Sequence, residues 1–316
     1  HIMMGCLIPF ALTQTYSGTL RETGETIVPM KAGIVAFFAN LLLDYSLIFG
    51  KFGFPELGVR GAAIATVIAR IAEVAHSHTA EKPFIRGVYR SFHVPMDLVK
   101  EVIKKGTPLL LNETLWAGGM AMLVRCYSSR GLVVVAGINI ATTLSNMFSI
   151  VYIAMGSAIG IILGQLLGAG KMEEAVDTDR KLIFFSVASC LGVAILMIIV
   201  SPFFPQIYNT SDDVKYIAAW IIWVLAVCMP LNAFMNSTYF TLRSGGKTIV
   251  TFLFDSFYIW VVDIPAAILL INYTDWNVIL VYFLVQMMEI VKCIIGYVLV
   301  KKGVWLNNMT IKAANS

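Results

Sequence analysis

Charge is what this sequence has least of. Charged residues make up 13% of its 316 residues and hydrophobic ones 58%, where an ordinary soluble domain carries roughly 25% and 45–50%. So little charge cannot cover the apolar surface of a soluble fold of this size, and that class is excluded. Paired cysteines are missing as well. Cys6, Cys126, Cys190, Cys228 and Cys293 all lie inside apolar runs with no CxxC among them, so they read as small packing residues rather than disulfide or metal positions. His76, His78 and His93 read as loop residues without metal partners. There is no nucleophile elbow and no zinc-ligand pair, and the glycine cluster from Gly164 to Gly170 lacks the Lys-Ser/Thr ending of a phosphate loop. Neither an enzyme nor a cofactor is expected. The start, His1-Ile2-Met3-Met4, enters an apolar segment without a basic n-region or cleavage site, so no signal peptide is expected.

What is present is a succession of long apolar runs. A helix needs about 20 mostly apolar residues to cross the hydrocarbon, and nine segments qualify, at about 3–20, 30–50, 59–77, 107–128, 132–168, 182–206, 213–241, 248–271 and 276–300. The third is the weakest, since Arg70 and Glu73 interrupt it before His76, and residues are expected to be missing near Ala75-His76. The fifth is overlong and carries Gly156, Gly160, Gly164 and Gly168, a spacing that suits a tilted helix packed closely on its neighbours. The fold class is therefore an all-α polytopic membrane protein.

Two of the joints between these segments are nearly the same sequence. Thr19-Leu20-Arg21-Glu22-Thr23-Gly24-Glu25-Thr26-Ile27-Val28 returns 222 positions later as Thr241-Leu242-Arg243-Ser244-Gly245-Gly246-Lys247-Thr248-Ile249-Val250, with seven of ten residues identical. Each copy closes one apolar stretch and opens the next, which predicts two like helical bundles. About a hundred residues of apolar helix precede the second copy but only 18 residues precede the first. The chain therefore reads as if three helices were missing ahead of it.

Orientation follows from the basic residues. Counting alternate connections from Arg21, sixteen Lys and Arg fall on one side, among them Lys82, Arg86, Arg90, Lys104, Lys301 and Lys302, against Lys51, Arg60, Arg130 and Lys215 on the other. The positive-inside rule then puts the C-terminus in the cytoplasm. Residues 81–106 become a cytoplasmic connector, with Val94 to Lys105 patterned as an amphipathic helix on the membrane surface. These loops account for the net charge of +4, so no nucleic-acid partner is implied.

The run Leu20 to Thr26, then Asn40-Leu41-Leu42-Leu43-Asp44-Tyr45, Ile48-Phe49-Gly50 and Gly58 to Thr66, resembles the first lobe of the multidrug and toxic compound extrusion (MATE) family. Pro108-Leu109-Leu110-Leu111-Asn112-Glu113, Gly164 to Gly170 followed by Glu173-Glu174-Ala175, and Leu242 to Thr248 are similar to its second lobe. Family members have twelve helices in two six-helix lobes. The resemblance implies that nine are present here, the fourth to the twelfth: residues 1–80 as the remainder of the N-lobe, 81–106 as the connector, 107–303 as the C-lobe and 304–316 as a tail.

The sharpest chemistry lies in the second segment. Asn40 and Asp44 are four residues apart and share a helix face among Ile, Val, Phe, Leu and Ala. A carboxylate there costs roughly 2.5–3.5 kcal/mol or more unless it is protonated, paired or metal-bound. It can take up and release a proton, or, with the Asn40 amide oxygen and the Thr66 hydroxyl, bind Na⁺ through hard oxygen ligands. The alternative is structural, with Asp44 near the helix end reaching water or capping a neighbour. The resemblance implies a cation site of the matching Asn, Asp and Thr with an Asp on the first helix, which this sequence lacks.

Glu113 is the second candidate, since the family's matching Glu is implicated in cation coupling or cationic-substrate binding; an interhelical hydrogen bond is its structural reading. Asp255 and Asp263, eight residues apart and roughly on one face, either line a C-lobe cavity or pair with Lys or Arg of a neighbouring helix. Asn232, near Pro230, stands about where some relatives carry an acidic ligand. Glu73 and Glu289 read as structural, at a cytoplasm-facing end or paired with Arg70 and Lys292. Arg125 is expected to snorkel outward.

The resemblance implies antiport: two lobes alternate in access, and an H⁺ or Na⁺ gradient drives amphipathic, often cationic, organic compounds out across the cytoplasmic membrane. The bilayer and a small amphipathic substrate are the expected partners, and no oligomer is required. A flippase for lipid-linked precursors would need basic cavity residues, whereas the basic residues here are mostly in loops. An inactive helical scaffold is the third reading.

Overall fold

In a computed structural model of the chain, residues 2–78 and 94–307 are described. Residues 79–93, which hold half of the expected connector with Lys82, Arg86, Arg90 and His93, and 308–316 of the expected tail lie outside them. The described residues contain nine long helices and no strand: α1 (Leu7–Glu22), α2 (Ile27–Phe49), α3 (Val59–His78), α4 (Met96–Ser128), α5 (Leu132–Gly168), α6 (Met172–Val200), α7 (Asp212–Ser244), α8 (Thr248–Tyr273) and α9 (Val278–Lys301). Each coincides with one expected span. Six of them, α2 and α5 to α9, are long and apolar enough to cross a bilayer; α1, α3 and α4 fall short of that measure.

Three boundaries differ from the sequence expectation. The α3 helix continues through His76 to His78 rather than breaking into a loop there. Helix α4 starts at Met96 and runs unbroken past Gly106, so the amphipathic turns join the span directly. Helix α6 starts at Met172, ten residues early, because Glu173 and Glu174 in its first turn favour a helix N-terminus. It stops at Val200, just before Pro202, and Pro205 lies in the short turn that follows.

The chain divides into two compact units, His1–Pro95 and Met96–Ser316. In the first, α3 packs on both α1 and α2. The α2–α3 crossing is close at Gly61, where a Cβ would stand 2.5 Å from the Leu47 carbonyl oxygen. Tyr16 and Leu20 of α1 are buried against Val28 and Val74.

In the second unit α7 is the central helix, packed on α5, α6 and α9, while α4 lies against α8. Hydrocarbon gives apolar side chains no reason to leave it, so close backbone approach and polar contacts must hold such helices together. The α5–α7 pair shows the first device. A Cβ on Gly137 would meet Ile217, and one on Gly156 would fall 2.0 Å from Asn236 Oδ1 and 2.6 Å from Phe240. Gly160 also faces Phe240, whereas Gly164 and Gly168 face open space. Only the first half of the glycine series therefore serves packing.

The repeat is visible in the backbone. Gly24 and Gly246 occupy equivalent positions, with φ of +86° and +73°, and each donates its N–H to the matching arginine carbonyl, Arg21 at 3.0 Å and Arg243 at 2.9 Å. Only glycine takes that left-handed conformation without steric cost. Beneath the second copy, Trp305 is 1% exposed and packs with Ile159, Leu163, Leu167 and Leu242, so the described residues just past α9 fold back onto the helices.

Candidate functional site

The polar core of the second unit is built across α4, α7, α8 and α9. Asn112 of α4, 1% exposed, donates from Nδ2 to Asp255 Oδ2 of α8 at 3.2 Å and to the Tyr239 hydroxyl of α7 at 3.4 Å. Its Oδ1 accepts from the Ser256 hydroxyl at 2.7 Å and the Ser256 backbone N–H at 3.4 Å. The Tyr239 hydroxyl reaches Glu113 at 3.5 Å. Asn112 thus uses both ends of its amide to tie α4 to α7 and α8.

On the far side of Asp255 stands Lys292 of α9, 5% exposed. Its ammonium is 3.1 Å from Asp255 Oδ1 and 3.6 Å from Glu289 Oε2, and it lies 5.6 and 5.8 Å from the ring centroids of Phe254 and Tyr258. Asp263 is 3% exposed and neighbours Glu289. Two carboxylates, Asp255 and Glu289, therefore flank one ammonium at the middle of α8 and α9, and Asp263 adjoins Glu289.

The backbone of α8 makes this possible. Leu253–Phe257 and Ile259–Asp263 are wound as π-helix, a form that recurs at functional sites. Along an α-helix, eight residues overshoot two full turns by about 80°. The wider π turn rotates each residue less, which brings Asp255 and Asp263 to the same α9 neighbours.

The first unit holds the other candidate group. Asn40 and Asp44 lie on one face of α2, and Thr66 is on the adjoining α3. Asn40 Nδ2 and Asp44 Oδ1 are buried without a hydrogen-bond partner, and the Thr66 hydroxyl donates to the Ala62 carbonyl of its own helix at 3.0 Å. Among the described residues no hydrogen bond joins the three. The Asn40 and Asp44 oxygens and the Thr66 hydroxyl are donors of the right chemistry for H⁺ or Na⁺. The orphaned Asp44 Oδ1 is the observation that fits a bound cation.

The structure separates the remaining expected residues. Asp255 and Asp263 come together with Glu289. Glu113 is exposed on its unit and touches the cluster through Tyr239. Asn232 is half-buried on α7, with no bond to the cluster among the described residues. Glu289 sits in mid-helix rather than at a helix end, with Lys292 beside it, while Glu73 pairs with Arg70 at 2.7 Å. Sequence reasoning paired Lys292 with Glu289, as the structure does at 3.6 Å, but did not connect it to Asp255, or Asn112 to Tyr239 and Ser256, as one network. The available signal was a Glu and a Lys three residues apart in the middle of a 24-residue apolar helix, an arrangement expensive enough in a membrane to mark a site.

Comparison with known proteins agrees with this architecture. The MatE family model matches residues 108–269, just over half of the chain. The probable multidrug resistance protein NorM of Thermotoga maritima is 27% identical over 275 residues, covering 84% of this chain and 57% of its own length. The probable multidrug resistance protein YoeA of Bacillus subtilis is 24% identical, covering 83% and 58%. The chain thus spans a little over half the length of these curated relatives. A crystal structure of the Vibrio cholerae MATE transporter VcmN matches with a TM-score of 0.83 over 96% of this chain and 68% of that one at 17% identity, a shared fold. On the family match and the common architecture, the chain belongs to the MatE family.

Proposed function

We propose that the protein exports amphipathic, often cationic, organic compounds across the cytoplasmic membrane in exchange for H⁺ or Na⁺. The observation that carries the coupling is the buried, unpartnered Asp44 Oδ1 on α2. A polar group left unpaired in the membrane is costly, and a cation that binds Asp44 in one conformation and leaves it in another supplies the missing partner in only one of them. That differential affinity is what lets a gradient shift the population between two states. The names of the relatives, multidrug resistance proteins, support the substrate class. The bias of basic residues supports a cytoplasmic C-terminus.

The experiment is dye efflux from everted vesicles with pH and Na⁺ gradients imposed separately, comparing the protein with its Asp44→Asn variant. Efflux driven by one gradient and lost in the variant is expected. Undiminished gradient-driven efflux by Asp44→Asn refutes the role of Asp44, and no transport under either gradient refutes the exporter reading.

A further inference from the structure

The cluster on α8 and α9 poses a charge problem that its contacts do not solve. Asp255 is matched by Lys292 at 3.1 Å and by the Asn112 amide at 3.2 Å. Glu289 has the same ammonium at 3.6 Å. Asp263 is left over: it is 3% exposed, its Oδ1 has no hydrogen-bond partner, and no cation lies within ion-pair distance of it among the described residues. Glu289 Oε2 is likewise without a hydrogen bond. The two carboxyls nonetheless adjoin each other. Ionised carboxylates only accept hydrogen bonds, and two of them side by side, cut off from water, cannot both keep their charge.

We propose that Asp263 and Glu289 hold one proton between them, forming a proton-binding site inside the second unit, with Lys292 as its counter-ion. The proton resides on Asp263, which lacks a cation, and is donated to Glu289, which the ammonium keeps ionised. Other groups that face the pair do not supply it. The Tyr258 hydroxyl on α8 is committed to the Met288 carbonyl at 2.7 Å. Tyr127 of α4 faces Asp263 without a hydrogen bond to it, and Cys228 of α7 and Cys293 of α9 face Glu289. Asp255 faces both and only adds negative charge.

Loss of this proton has a structural consequence. Asp263 becomes a carboxylate, the proton passes to water, and three anions then compete for Lys292. The Lys292–Asp255 contact must loosen, and Asp255 is held by Asn112, which also holds Tyr239 and, through it, reaches Glu113. Protonation of Asp263 is thereby felt on α4 and α7. The inference deepens the proposed cation coupling by naming a proton as the ion and a place for it distinct from Asp44, but its test does not require transport.

The test is infrared difference spectroscopy of the full chain in lipid nanodiscs at neutral pH, with H₂O/D₂O exchange to identify protonated-carboxyl bands. A band is expected that disappears in Asp263→Asn and shifts or disappears in Glu289→Gln. Absence of any band lost with Asp263 overturns the proposal, as does a band that Glu289→Gln leaves unchanged. Replacing choline by sodium must leave the band in place, and its loss would assign the pair to Na⁺ instead. If circular dichroism shows Asp263→Asn unfolded, Asp263→Glu takes its place, with a shifted band expected and an unshifted one refuting. Failure of vesicle transport leaves this result standing, and loss of the band leaves the Asp44 reading standing.

Discussion

Replacing Lys292 by Met tests whether the ammonium holds the acidic cluster together. The substitution keeps a flexible stem of similar volume and removes the charge. Removing one partner of a buried ion pair costs about 3–5 kcal/mol. Asp255 keeps its Asn112 hydrogen bond and its side chain is 20% exposed, so the lower end, about 3 kcal/mol, is expected. At about 2–4 °C per kcal/mol for a unit of this size, the melting midpoint should fall by about 6–12 °C. Thermal unfolding of the detergent-solubilised chain, followed by tryptophan fluorescence, reads this directly. A midpoint within a degree of the parent would refute the reasoning.

Two further outcomes follow from packing. Gly156→Ala drives a methyl to 2.0 Å from Asn236 Oδ1 and should destabilise by about 1–3 kcal/mol, while Gly164→Ala, with nothing within 4 Å, should be neutral or mildly stabilising; equal midpoints for the two would contradict the α5–α7 contact. Arg130 donates to the Ile271 and Thr274 carbonyls at the end of α8, so Arg130→Gln should cost about 1.5–3 kcal/mol locally and speed amide exchange in the last turn of α8. Unchanged exchange there would show that this cap is idle.

The helices were legible because hydrocarbon imposes a one-dimensional rule, a run of apolar residues long enough to span it. The connection between α1 and α2 and its counterpart between α7 and α8 were legible because Gly24 and Gly246 adopt a backbone conformation that other residues rarely take. Helix ends were less so. The α6 start moved to Met172 because acidic residues and the helix dipole, rather than hydropathy, placed it.

The candidate residues divide along the same line. That Asn40 and Asp44 share a face follows from helical spacing alone. That Asp255 chooses Lys292, and Asp263 chooses Glu289, depends on π-winding in α8 and on which face α9 turns inward, and neither is written in local spacing.

The sequence by itself determined the membrane class, the succession of helices and the duplicated joints, because each rests on periodicity or on one residue's backbone freedom. Only the tertiary structure decided which buried charges meet. Asp255 and Asp263 find their neighbours on another helix, and residues far apart in the chain settle that choice by packing.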